Sequence, residues 1–367
     1  MSKNKTIKEL DIYALGIMSG TSLDGLDLAL CHFQFADGKW LFNIEKAITI
    51  DYNDEWKKKL GDALYISGYQ LIELHRQFGF YIGESAKEFL IDCKIKPSII
   101  ASHGHTVFHE PHKQINFQIG DGAAIASITE ITTISDFRSL DINLGGQGAP
   151  LVPIGDHLLF TEYDFCINLG GFANISHLNN SKIRLAYDIC PVNIILNLLV
   201  KDLDQSFDKD GILGQKGKVN KNLLYDLNQI DFYKRNPPKS LGKEWLDFEV
   251  IPLFAKSKIS VVDKLRTFYE HIAVQITKCL TDDNKNLDRN RNAFLTGGGA
   301  HNKFLVELIK SYTNTKIILP EKVIVDYKEA LIFAFLGVLR HYEMKNCLKS
   351  VTGARFDNVG GQIFIMD

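Results

Sequence analysis

The sequence predicts a mixed α/β protein built as two related lobes, and three observations lead there. Strand-like apolar runs feed three separate glycine-rich turns, at residues 16–27, 168–174 and 296–302. The first two of these turns open the two halves of the chain with the same hairpin theme, a repeat of pattern without a repeat of sequence. Between the strands lie segments whose apolar residues recur every three or four positions, the spacing of a packed helix.

Size and composition agree with that reading. The chain has 367 residues, 45% of them hydrophobic, enough for two sizeable cores. Charged residues make up 23% and the formal net charge is −2, with no basic stripe, so a nucleic-acid partner has no support. Lys57-Lys58-Lys59 reads as a solvated helix face. Residues 1–9 are polar and lack a secretory pattern, and no apolar run reaches the roughly 18 residues of a membrane helix. A cytoplasmic protein without a membrane partner is expected. Cys31, Cys93, Cys166, Cys190, Cys279 and Cys347 are scattered without a CxxC pair, which predicts buried free thiols rather than zinc or disulfides.

Each element then follows in order. Residues 12–17 and 28–35 form the first hairpin, and 40–50 add a strand. Residues 65–93 form a helix whose stripe is Leu71, Leu74, Phe78, Ile82, Ala86 and Phe89. A buried strand ends at Ser102-His103-Gly104-His105, another leads into Gly120-Asp121-Gly122, a helix covers 123–129 and a strand 132–136. Residues 137–153 are dense in polar turn signals. In the second half, strands are expected near 165, near 175 and over 183–188, and a helix starts at 194. Residues 202–220 and 232–245 read as surface crossings. A helix over 261–280 packs through Val262, Leu265, Tyr269, Ile272, Ile276 and Cys279. After a polar linker at 281–291, strand 293–295 feeds the third glycine cluster, and helices cover 300–309 and 330–340.

The turns carry chemistry of their own. In Gly16-Ile17-Met18-Ser19-Gly20-Thr21-Ser22-Leu23-Asp24-Gly25-Leu26-Asp27, the hydroxyls of Ser19, Thr21 and Ser22 can donate to anionic oxygens, and Gly20 and Gly25 permit close backbone approach. Asp24 and Asp27 can hold Mg²⁺, directly or through water. An ordinary hydrogen-bonded hairpin turn explains the same residues, but recurrence at Gly170 and Gly297 favours nucleotide phosphate. Asp188, at the end of a predicted strand, is either a general base or a cap for the helix that follows. His103, His105, His109 and His112 are spaced irregularly, which suits substrate hydrogen bonding or loop packing better than zinc. Arg138 and Asp141 suit recognition of a carboxylated or polar sugar, or an ion pair. Glu329 either caps the final helix or reaches into a cleft. No GxxxxGK[ST] or convincing GxGxxG fingerprint is present, which disfavours P-loop and NAD-binding readings.

Taken together, these motifs resemble the anhydro-N-acetylmuramic acid kinases along nearly the whole chain. The resemblance rests on the first turn, Ser102-His103-Gly104-His105-Thr106-Val107, Asp136-Phe137-Arg138-Ser139-Leu140-Asp141 and Gly145-Gly146-Gln147-Gly148-Ala149-Pro150-Leu151. It continues through Gly170-Gly171-Phe172-Ala173-Asn174-Ile175, Leu295-Thr296-Gly297-Gly298-Gly299-Ala300-His301-Asn302 and Glu329-Ala330. It implies a two-lobed actin-like, hexokinase-like (ribonuclease H-like) ATPase fold with mixed five-stranded sheets. The first lobe would be 1–160 plus 333–367 and the second 161–332, with ATP and sugar between them. Gly20, Thr21, Ser22, Asp24, Gly25, Asp27, Gly170, Gly171 and Asn174 would serve the phosphates and Mg²⁺, while Gly297, Gly298 and Gly299 would lie near adenosine. Asp188 would activate water, and His103, Arg138, Asp141 and Glu329 would recognise sugar or organise the site. The implied reaction opens 1,6-anhydro-N-acetylmuramic acid with water while ATP phosphorylates O6, and the implied assembly is a homodimer that recycles cell-wall sugar.

Two departures stand out. The family pattern Asp-Thr-Gly-Pro-Gly-Asn is replaced by Asp188-Ile189-Cys190-Pro191-Val192-Asn193, and Val192 does not readily take the positive φ open to glycine, so a different path is expected there. His105 stands where the family has glutamine. An ordinary sugar kinase and a catalytically weak ATP-binding regulator therefore remain as alternatives.

Overall fold

The computed structural model describes residues 9–20, 23–281 and 291–366. Backbone contacts divide the chain into one unit of Met1–Phe160 with Tyr327–Asp367 and a second of Thr161–Asp326.

In the first unit, β1 (Leu10–Ser19), β2 (Gly25–Ala36) and β3 (Lys39–Asp51) form an antiparallel meander, with Gly16 opposite Ala29 and Asp27 opposite Thr49. The next strand, β4 (Ile99–Ser102), runs parallel to β1 and is buried throughout. β5 (His105–Glu110) and β6 (Ile115–Ile119) pair as a separate hairpin, and β7 (Thr133–Ser135) adds to β4 in parallel. The expected five-stranded sheet has a sixth member. The C-terminal strand Gln362–Phe364 pairs antiparallel with β7 and covers an edge that would otherwise offer unpaired backbone.

Two helices position this sheet. The Gly68–Ile91 helix starts at a capping box made by Ser67 and Gln70, and it buries Leu74, Phe78, Ile82, Ala86 and Phe89 of the expected stripe. The Lys322–His341 helix begins well before the apolar run that signals it, because its first turns mix charged and apolar residues. Its backbone leaves helical values at Tyr327 (φ −116°, ψ 15°), and the chain returns to the first unit there rather than at 333. Beyond that point the helix lies directly on β1. A Cβ at Gly16 would stand 1.9 Å from the Ala330 carbonyl oxygen, so only glycine admits this approach.

The second unit repeats the topology. β8 (Phe165–Leu169), β9 (Phe172–Leu178) and β10 (Arg184–Pro191) form an antiparallel meander. β11 (Asn292–Thr296) joins β8 in parallel and β12 (Lys316–Ile318) joins β11. The order β10-β9-β8-β11-β12 matches β3-β2-β1-β4-β7 of the first unit. One sheet face carries Ile167, Ile175 and Leu295 into a core shared with Leu265, Phe268, Tyr269, Ile272 and Ile276 of the Val261–Thr281 helix. Most of the linker expected at 281–291, residues 282–290, lies outside the described residues.

No disulfide joins any of the six cysteines, and four of them are buried. Among the described residues no helix is long and apolar enough to cross a membrane.

Candidate active site

Asp188 does not end its strand. β10 continues to Pro191 through a bulge between Asp188 and Cys190. The cause lies in the apolar residues that follow Asp188. Ile189, Cys190 and Val192 are all buried in the core of the second unit, and this burial draws the backbone onto the sheet. Val192 sits at φ −129°, so the segment needs no left-handed residue. Asp188 is also not a helix cap. The Asn193–Val200 helix has Val192 at its N-cap, and the Gly170 and Gly171 carbonyls accept from the backbone N–H groups of residues 192–194 instead.

The segment read as a surface crossing, 232–245, clasps Asp188. The Asp188 N–H donates to the Lys239 carbonyl at 3.1 Å, and the Leu241 N–H donates to Asp188 Oδ2 at 2.8 Å. Burial raises the Asp188 carboxyl above the ordinary carboxylate range, and the Leu241 N–H partly offsets this. A half-buried carboxylate with a raised proton affinity suits a general base.

Strand register places Asp188 in a row of polar residues. Asp188 lies opposite Asn174, Asn174 opposite Asn168, and Asn168 beside Thr296. Directly opposed residues share a sheet face, so the row runs across β10, β9, β8 and β11 opposite the Ile167–Ile175 core face. It lies next to the Gly170-Gly171 turn and the Gly297-Gly298-Gly299 cluster. Gly297 sits at φ +81°, where side chains are strained, and a Cβ there would stand 2.9 Å from the Leu169 carbonyl carbon.

Close to that cluster the second unit holds a cavity of about 230 Å³, lined by Asn193, Leu196, Phe207, Asp208, Tyr269 and Gly298 among others. Asn193 ties it to the strand ends, donating from Nδ2 to the Leu169 carbonyl at 3.2 Å. The excursion at 202–220 is therefore not wholly on the surface. Asp208 is buried and accepts from the Tyr269 hydroxyl (3.1 Å) and from the N–H groups of Leu213 and Gly214. Nothing local in sequence marks Asp208, since Tyr269 comes from the distant Val261–Thr281 helix. Asn302, the last residue of the third glycine motif, also bonds Tyr269 (2.8 Å).

In the first unit, Arg138 and His103 form one assembly. Arg138 donates from Nε and Nη2 to His103 Nε2 (3.2 and 2.9 Å) and from Nη1 to the Gly148 carbonyl (2.6 Å). Two donors at Nε2 require its lone pair, so the His103 proton sits on Nδ1 and bonds the Gly104 carbonyl at 2.8 Å. With both ring nitrogens engaged, His103 orients Arg138 rather than binding a ligand through them. Burial lowers the Arg138 guanidinium to about 10, so it remains charged at neutral pH. Glu329 is the charge it feels most. Glu329 is reachable by solvent although protein surrounds it; desolvation raises its carboxyl and the Arg138 guanidinium pulls it back. It lies inside its helix and is no N-terminal cap.

Asp141 makes no ion pair with Arg138 and has no face left for a sugar. It is fully buried, its Oδ2 accepts from the Gly148 N–H (2.8 Å), and its Oδ1 accepts from Cys347 Sγ (3.0 Å), Thr352 Oγ1 (2.8 Å) and Asn358 Nδ2 (2.9 Å). It anchors the Gly145–Pro150 loop to the C-terminal segment.

The first glycine turn is partly described: Thr21 and Ser22 lie outside the described residues. Ser19 turns inward, accepting from the Tyr52 hydroxyl (2.8 Å) and facing His105 Nδ1 (3.2 Å), so its hydroxyl is not offered to phosphate. Gly25 is glycine for β-pairing, since a Cβ there would lie 2.5 Å from the Ile50 carbonyl oxygen. Gly20 is half-buried at the end of β1 and its carbonyl accepts from the Leu23 N–H (3.4 Å). Asp24 is exposed on the turn, and Asp27 accepts from Thr49 Oγ1 at 2.6 Å. Among the described residues no group of three His, Cys, Asp or Glu side chains forms a metal cage. Asp24 and Asp27 are carboxylate donors of the kind Mg²⁺ takes, one or two at a time, with waters and substrate phosphates as its other ligands.

Two of the buried histidines give a pH prediction. Burial lowers His105 to about 4 and His103 well below 6.5. Both are neutral in the folded protein and protonate in the unfolded chain near 6.5. Their stabilising effect is complete above that pH and is lost as pH falls toward the folded values. Denaturant titrations should show unfolding free energy falling below pH 6.5, by about 1.4 kcal/mol per pH unit for each histidine. In H105Q the slope should lessen by one proton; an unchanged slope counts against a buried neutral His105.

The family model for anhydro-N-acetylmuramic acid kinase matches residues 12–366. The chain is similar to the anhydro-N-acetylmuramic acid kinase of Mannheimia succiniciproducens, 35% identical over 96% of this chain and 98% of the relative. It is 33% identical to the kinase of the same name from Pasteurella multocida, over 95% and 96% of the two chains. With that of Pseudomonas syringae pv. syringae the identity is 32%, over 97% and 100%. A family match over residues 12–366, with 35% identity to a relative along nearly the whole of both chains, shows that the chain belongs to the anhydro-N-acetylmuramic acid kinase family.

Proposed function

We propose that the chain is an ATP-dependent kinase that opens the 1,6-anhydro ring of anhydro-N-acetylmuramic acid and phosphorylates O6, giving N-acetylmuramic acid 6-phosphate and ADP. The observation that carries the reading is Asp188, a half-buried carboxylate with raised proton affinity, pinned by Leu241 through one oxygen. Membership of a kinase family supports phosphotransferase chemistry, and the names of the relatives support the anhydro sugar.

In this reading Asp188 takes a proton from water as the water oxygen bonds to C1 of the sugar. The C1–O6 bond breaks and its electron pair stays on O6. O6 attacks the γ-phosphorus of ATP, the bond to the β–γ bridging oxygen breaks, and ADP leaves. Arg138, oriented by His103 and Gly148, is assigned to the anionic or polar groups of the sugar, with Glu329 beside it. The cavity at Asn193 and Gly298 is assigned to the nucleoside. Asp24 and Asp27 would hold Mg²⁺, directly or through water, and the ion when bound offsets phosphate charge. A homodimer with a cytoplasmic role in recycling cell-wall sugar completes the proposal.

The test is product analysis from the anhydro sugar with ATP, magnesium and ¹⁸O-water. The expected result is a sugar phosphate with label at C1. Phosphorylation without label would indicate an ordinary sugar kinase, and ATP binding without any sugar phosphate would indicate the regulatory alternative.

A further inference from the structure

We infer that Asn174 is the second hydrogen-bond partner of the water that Asp188 activates; the inference rests on the reaction proposed above. Asn174 and Asp188 are directly opposed on β9 and β10, so their side chains leave the same face with Cβ atoms about 4.5–5.5 Å apart. That gap suits one water bridging two polar groups. The bulge follows immediately after Asp188, so the pairing is intact at this position and altered only beyond it. Among the described residues, the Asn174 amide has no hydrogen-bond partner, and Asp188 uses only Oδ2, toward Leu241. Neither side chain is among the buried polar atoms left unsatisfied, so both groups remain open to solvent. Half-buried polar groups left open together on a sheet face form a site for a small polar ligand.

The chemistry asks for this pair. A water held by one carboxylate can rotate about that single hydrogen bond. With one hydrogen given to Asp188 Oδ1 and the other to Asn174 Oδ1, its two O–H directions are fixed and a lone pair is aimed at C1. During attack the O–H bond to Asp188 breaks and its proton moves to the carboxylate. The second hydrogen stays on the oxygen and becomes the C1 hydroxyl of the product. Asn174 moves no proton; it fixes the direction of attack. This assignment differs from the phosphate-contact role that the motif alone suggests for Asn174.

The experiment compares wild-type protein with N174A, N174S and N174D, using ATP, magnesium and the anhydro sugar, with folding checked by circular dichroism. N174A should lower kcat on the order of 100-fold while KM for ATP stays within about twofold, because the water loses orientation and the nucleotide loses nothing. N174S keeps one hydrogen-bonding oxygen and should recover part of that loss; it also decides the matter should N174A fail to fold. N174D sets a second carboxylate beside Asp188, so the acid limb of the kcat–pH profile should move up by about one pH unit or more. Cys190, Lys239, Cys279 and Tyr233 are titratable groups of the same neighbourhood, and all three variants leave them in place. A raised KM for ATP with kcat unchanged would return Asn174 to the phosphates and overturn the inference. So would near-normal kcat in N174A and N174S with an unmoved profile in N174D. Absence of wild-type turnover would overturn the proposed reaction and this inference together, which separates the two failures.

Discussion

Replacing Asp188 with Asn is expected to lower kcat for sugar phosphorylation about 10³-fold while leaving ATP affinity near normal, since general-base catalysis typically contributes 10²–10⁴-fold. The amide is nearly isosteric and can still accept from the Leu241 N–H, so the clasp over β10 should persist. What disappears is the proton acceptor. The wild-type pH profile supplies a second readout. Burial raises the Asp188 carboxyl, so its deprotonated form is lost at a higher pH than for an ordinary carboxylate. The kcat of the wild type should therefore fall on the acid side as Asp188 protonates, and the residual activity of D188N should lack that limb. Titration calorimetry with ATP and mass-resolved sugar phosphate formation measure the two effects separately. Near-normal turnover by a folded D188N would remove Asp188 from the mechanism.

The second large effect is expected at Asp141, and it falls on stability. Asp141→Ala strips an acceptor from the Gly148 N–H, Cys347 Sγ, Thr352 Oγ1 and Asn358 Nδ2, all in a fully buried setting. Each buried donor left without a partner costs about 1–3 kcal/mol, so a loss on the order of 4 kcal/mol in unfolding free energy is expected even with partial relaxation. Denaturant unfolding measures it. If Asp141 instead bound sugar, the variant would raise KM for the sugar at unchanged stability, and the anchoring role would be refuted.

Asp141 also shows why part of the site escaped the sequence. Arg138 and Asp141 are three residues apart and opposite in charge, a spacing that suggests an ion pair or a shared ligand. Their partners come from Gly148, His103 and residues after 346, and no local pattern announces those. The same holds for Asp188. Its neighbours on β9 were legible as a hairpin, but the clasp by Lys239 and Leu241 joins residues from separate elements. The strand extension past Asp188 was hidden because Pro191 and Asn193 favour a turn, while the burial of Ile189 and Val192 decides otherwise. Elements with a strong period were legible: the Gly68–Ile91 and Val261–Thr281 helices bury most of the stripes expected of them. The Gln362–Phe364 and Lys316–Ile318 strands are too short for a period to show. The repeat expected from the two opening turns is present in the fold, since both units share one order of five strands.

The Gly16–Ala330 contact has a consequence for how the chain comes into being. Synthesis, at about 5–20 residues per second, delivers β1 before the Thr161–Asp326 unit and the part of the helix that covers β1 after it. Thr161–Asp326 is contiguous and can acquire its fold while the ribosome is still extending the chain. The first unit cannot close until Tyr327–Asp367 has emerged, so its sheet waits with the groove over Gly16 uncovered. A nascent chain halted before Ala330 would hold a finished middle and an open beginning, and that open sheet is the surface a chaperone would meet.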